Sequence, residues 1–102
     1  MKKKMEVIFL IDSESYDMNL LGISLEKYTK CRVFNFFSFE ETLLYKNLNP
    51  KVIVHDNGIV DIHSYNKEVR FCDISTIRAI RPNLNQTDTV LALANQVSSL
   101  VN

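Results

Sequence analysis

With 46% of its 102 residues hydrophobic and 24% charged, the chain carries enough apolar material for one core and too much for a disordered segment. Twelve basic residues balance twelve acidic ones, so no net field draws the protein to nucleic acid or to anionic lipid. No Pro-, Gly- or Ser-rich linker divides residues 1–102, which read as a single domain.

The first element is Glu6-Val7-Ile8-Phe9-Leu10-Ile11-Asp12, an apolar run that stops on an acid and reads as a buried strand. Lys2-Lys3-Lys4 before it mimics the start of a signal peptide. The apolar run is too short for one and no small-residue cleavage site follows, so a cytoplasmic protein is expected. Ser13-Glu14-Ser15 then offers helix caps, and Met18, Leu21, Leu25 and Tyr28 recur at helical spacing. Residues 31–37, rich in aromatic and β-branched types, read as a second strand. Ser38 and Glu41 make a capping box opening a helix that carries Leu43, Leu44 and Leu48 and closes at Asn49-Pro50. The phenylalanines Phe34, Phe36, Phe37 and Phe39 are assigned to the core.

Residues 50–56 repeat the first design: Lys51-Val52-Ile53-Val54-His55-Asp56 is apolar and again stops on an aspartate. Strand, helix, strand, helix, strand folds by the right-handed crossover rule into a parallel, doubly wound α/β sheet. Asp12 and Asp56 then belong to strand ends at the carboxyl edge, where open α/β sheets build their sites. Beyond the turn Asp56-Asn57-Gly58, a hairpin is the simplest account of Ile59 to Cys72. Asp73 to Arg81 reads either as a short helix capped by Asp73 or as a strand at Ile77–Arg81. Thr87 or Asp88 caps a last helix with Val90, Leu93, Val97 and Leu100 in one stripe. Cys31 and Cys72, without CxxC spacing, read as reduced, buried thiols.

On these residues the chain resembles the receiver domain of two-component response regulators, a flavodoxin-like fold. The matches are Val7–Ile11 followed by Asp12-Ser13-Glu14, the strand that ends at Asp56 with its preceding proline, and Ile77-Arg78-Ala79-Ile80-Arg81-Pro82 before the last helix. The resemblance implies a non-enzymatic signalling role in which Asp56 accepts a phosphoryl group, Asp12 and Asp56 hold Mg²⁺, Arg81 stands in for the family's lysine, and Ser75 or Thr76 is the switch hydroxyl. It implies as partners a histidine kinase or phosphotransfer protein and an output protein. Two departures stand out. Ser13 replaces the second of two adjacent acids, removing a negative charge from a cation's shell, and Arg81 exchanges a point charge for a planar fork. Residues 56–81 are also too few for the family's usual strand–helix units, so the second half is expected to be shortened or remodelled.

Other readings of the same residues stand beside this one. Aspartate suits turns and caps, so Asp12 and Asp56 also fit a purely structural role. His55, His63, Asp56 and Asp61 share no recognised metal-ligand spacing. Arg70, Arg78 and Arg81 in a neutral chain read as a solvated face rather than a nucleic-acid site. A pseudo-receiver that kept the fold and lost phosphotransfer, working as an interaction or dimerisation module, is the second functional reading. A homodimer is expected from it, because a missing helix leaves apolar surface to cover. A flavodoxin-like module for a small molecule is the third.

Overall fold

The computed structural model describes residues 5–11, 16–55, 60–75 and 86–101, and of residues 16–21 and 86–90 the backbone only. In chain order it runs β1 (Val7–Ile11), α1 (Tyr16–Thr29), β2 (Arg32–Phe36), α2 (Phe39–Thr42), β3 (Val52–His55), β4 (Arg70–Asp73) and α3 (Gln86–Val101). Two 3₁₀ segments, Leu43–Leu48 and Ile62–Ser64, fill the connections on either side of β3. The strands form a four-stranded sheet in the order β2-β1-β3-β4, parallel throughout. No helix among the described residues is long and apolar enough to cross a membrane.

The two inner strands are apolar on both sides, which is what a parallel sheet covered on both faces requires. Alternation sends Ile8 and Leu10 of β1, Val52 and Val54 of β3, and Cys72 of β4 to one face, where Leu25 of α1 and Leu93, Ala94 and Val97 of α3 cover them. There α1 and α3 pack against each other. Gly22 lets α1 come close. A Cβ at that position would meet Asn35 Oδ1 at 3.2 Å and Leu10 Cδ2 at 3.5 Å.

The second face holds Phe9, Ile11, Phe36 and Ile53, with Phe71 half-buried beside them, and its cover is thinner: Phe39 of α2, Leu43 and Leu48 of the 3₁₀ segment, and Tyr65. Phe9 is the hub, packing edge-on against Phe36 at 4.8 Å and against Phe34 at 6.4 Å. Tyr65 comes from the β3–β4 connection, and its ring packs on Phe39 and Phe71 at 5.9 and 6.1 Å. Its hydroxyl donates to Thr42 Oγ1 at 2.9 Å, and Thr42 Oγ1 in turn donates to the Phe39 carbonyl at 2.6 Å. Thr42 is fully buried, so this relay satisfies a hydroxyl that water does not reach.

Two helical segments end on left-handed residues that are not glycine. Lys30, after α1, has φ 62° and Asn49, after Leu48, has φ 54°. Each turn is closed by a backbone bond, Lys30 N–H to the Glu26 carbonyl at 3.1 Å and Asn49 N–H to the Lys46 carbonyl at 3.0 Å.

The structure corrects several sequence expectations. Among the described residues 60–72 no hairpin forms: β4 pairs parallel to β3, with Val52–His55 in register with Arg70–Asp73. A parallel pair needs a crossover, and residues 56–69 are enough to make one without an α-helix in their described part. The helix expected to run to Asn49 is α-helical only through Thr42, and Tyr45 breaks its 3₁₀ continuation with φ −122°. Phe37 is exposed rather than core, Phe34 is half-buried at the sheet margin, and Leu44 and Tyr28 lie on exposed surface. Gln86 already lies in α3, so Thr87 and Asp88 are inside its first turn, not caps. Ser38 does cap α2, accepting the Glu41 N–H at 3.3 Å. The strand–helix pattern of residues 5–55 and the burial of Leu25, Leu93, Val97, Cys31 and Cys72 are as read from the sequence.

The Tyr65 relay makes a specific prediction. Tyr65→Phe removes one buried hydrogen bond and lowers unfolding stability in urea by about 1 kcal/mol. Tyr65→Ala also empties an aromatic site and costs about 3 kcal/mol or more. A Tyr65→Phe variant as stable as wild type would show that the hydroxyl contributes nothing.

Candidate functional site at the carboxyl edge of the sheet

Strand ends define the site. The chain leaves β1 toward β2 on one side and returns to β3 on the other, so the order reverses between β1 and β3, and their carboxyl ends flank the crevice where open α/β sheets bind ligands. Ile8–Leu10 is in register with Val52–Val54, so the two strands end side by side at Ile11 and His55. In the sequence Asp12 follows the first and Asp56 the second. Asp12, Asp56, Thr76 and Arg81 all lie outside the described residues.

Ser75 is described, and it sits at this edge. β4 ends at Asp73, which is in register with His55, and the Ile74 N–H donates to the His55 carbonyl at 2.9 Å. Ile74 is fully buried in the first face, which pins the segment. Ser75 follows. Its N–H and its hydroxyl both donate to Asp73 Oδ1, at 2.9 and 2.7 Å. Asp73 thus closes a turn onto Ser75, where the backbone turns helical. The rest of that segment, including Ile77–Arg81, lies outside the described residues.

His55 is buried, on the second face with Ile53, its ring edge-on to Phe71 at 6.4 Å. His63 stands exposed in the 3₁₀ turn that Asp61 caps, its N–H donating to Asp61 Oδ1 at 3.0 Å. Among the described residues no group of three or more His, Cys, Asp or Glu side chains could hold a metal ion. The described carboxylate at the edge, Asp73, has one oxygen taken by Ser75. The residues that the resemblance assigns to Mg²⁺ are those of the sequence, Asp12 and Asp56.

Asp73 is the residue of this edge that sequence reasoning did not assign to the site, offering it only as the cap of one of two alternatives for residues 73–81. The signal was present, because Arg70-Phe71-Cys72-Asp73 is a third apolar strand stopping on an acid, after those ending at Asp12 and Asp56. Its charge also acts on its neighbour. Burial, with the Asp73 carboxylate as the smaller cause, pushes the Cys72 thiol up to about 11. Tyr65 is raised as well, by burial, against the opposing hydrogen bond with Thr42.

At the opposite, amino edge lies a shallow pocket of about 290 Å³ lined by Glu6, Lys46, Lys51, Tyr65 and Glu68. A second, of about 560 Å³, lies between Lys51, Arg70 and the end of α3. Both mix the two signs of charge. Neither carries the acids of the carboxyl edge.

No family model, no curated protein and no solved structure matches this chain.

The raised thiol fixes a pH dependence. Its folded value lies above the ordinary 9.0, so the neutral thiol favours the fold fully below pH 9, and that stability, about 3 kcal/mol at most, is lost as pH rises from about 9 to 11. Cys72→Ala removes this part of the alkaline slope, measured by urea unfolding at pH 8 and pH 11, and leaves the part due to Tyr65. Native Cys72 is accordingly unreactive toward a disulfide reagent at pH 8 until the protein is unfolded.

Proposed function

We propose that this chain is a small receiver-like signalling domain of two-component type, flavodoxin-like in fold, that acts by binding partner proteins and takes a phosphoryl group on Asp56. One observation carries the reading: β1 and β3 are adjacent parallel strands that end together, and each is followed in sequence by an aspartate. The strand order, the two helices α1 and α3 sharing one face, and a serine just beyond β4 support it.

In this reading an oxygen of the ionised Asp56 carboxylate attacks the phosphorus of a phosphohistidine. The P–N bond breaks, the donor imidazole leaves with its electron pair, and an acyl phosphate remains. Mg²⁺, when bound by Asp12 and Asp56, supplies neutralisation of the phosphoryl oxygens. Arg81 contributes a fixed positive charge, and the Ser75 or Thr76 hydroxyl a donor. The donor protein is a histidine kinase or phosphotransfer protein, the signal leaves by docking on an output protein, and the location is cytoplasmic. A second copy of the chain belongs to the same list of partners, since Phe37 and Leu44 stand exposed.

The second reading, a pseudo-receiver that binds partners without phosphotransfer, draws on three features. Ser13 replaces an acid, Arg81 replaces lysine, and the described part of the β3–β4 connection is a 3₁₀ turn rather than a helix.

Incubation with acetyl phosphate and Mg²⁺, followed by intact mass, decides between them. The first reading expects one phosphoryl adduct that needs Mg²⁺ and vanishes in Asp56→Asn. No adduct in protein shown to be folded by circular dichroism selects the second.

A further inference from the structure

β2 is an outer strand of the described sheet, so one row of its backbone groups faces away from β1. The Arg32 N–H points inward and donates to the Glu6 carbonyl at 2.9 Å, and the alternation of a strand turns the next N–H, that of Val33, outward. This outward donor is already taken. Glu26, reaching over from α1, accepts it through Oε2 at 3.1 Å. The carboxylate oxygen stands where the carbonyl oxygen of an added strand would stand.

The stretch it guards is Val33-Phe34-Asn35-Phe36-Phe37. It is aromatic and β-branched, with no charge and no proline, the composition that pairs with copies of itself. Apolar surface flanks it on both sides. Phe37 is 75% exposed at its end, and Ile23, one turn before Glu26 on α1, is 65% exposed. We propose that Glu26 is a gate on this edge: its carboxylate closes β2 against pairing with β2 of a second copy of the chain. The inference stands independently of phosphorylation at Asp56.

Four variants test it by sedimentation velocity across a concentration series. Glu26→Ala and Glu26→Asp both lose the bond to Val33, the second while keeping the charge. Both are expected to associate beyond the wild-type species, about tenfold more tightly for each hydrogen-bond site freed, one on each copy. Glu26→Gln keeps an acceptor oxygen and Glu40→Ala removes one exposed negative charge elsewhere, so both are expected to sediment as wild type. Glu26 is exposed and alanine favours helix, so the fold is retained; were Glu26→Ala to unfold, Glu26→Asp alone carries the test. Folded Glu26→Asp sedimenting as wild type overturns the proposal. So does association of Glu26→Gln or Glu40→Ala to the same extent as Glu26→Ala, which would make the effect one of charge.

Discussion

Everything in this fold follows from the two-sided apolar character of β1 and β3. Ile8, Phe9 and Leu10 are fully buried on successive residues, as are Val52, Ile53 and Val54, so neither strand has a wet side. Such strands are stable only between two covering layers. On one side α1 and α3 supply long amphipathic helices. On the other, the described residues supply the short α2, a kinked 3₁₀ segment and a loop, and large rings fill the space instead. Phe36, Phe39, Phe71 and Tyr65 do there what a third long helix would otherwise do.

That exchange explains why Tyr65 matters. A helix satisfies its own backbone and brings a whole stripe of apolar side chains, whereas a short crossover must be tied down at single points. Tyr65 is such a point. Its ring completes the aromatic layer and its hydroxyl enters the buried Thr42 relay, coupling the β3–β4 connection to α2 across the sheet face. The register of β4, and with it the height of Asp73 and Ser75 beside the end of β3, depends on a connection held this way.

The first half was legible because each element announced itself by period and cap: alternation or continuous apolarity for strands, Ser38 for the start of α2, Asn49-Pro50 for the end of the segment before β3. The second half was not. Val69 to Cys72 alternates just as a hairpin arm does, and nothing local distinguishes a strand that pairs antiparallel with its neighbour in sequence from one that crosses over to pair parallel. The core assignment of Phe37 failed for a related reason, since hydrophobicity predicts burial only where a covering element exists. At the edge site, the reversal of strand order between β1 and β3 was implicit in the alternating pattern. Asp73 needed the register with His55 before it could be seen to belong there, and the Glu26 contact needed the third dimension altogether.

The left-handed residues at Lys30 and Asn49 bear on the unfolded chain as much as on the folded one. A glycine would adopt those angles without crowding, and yet the chain has only two glycines in its whole length. A side chain at a left-handed position costs about 1 kcal/mol in the native state, less for asparagine, but each glycine avoided narrows the denatured ensemble by a comparable amount. The protein therefore places its turns with residues that restrict the random coil. Its stability rests partly on how little conformational freedom there is to give up when β2 and β3 begin.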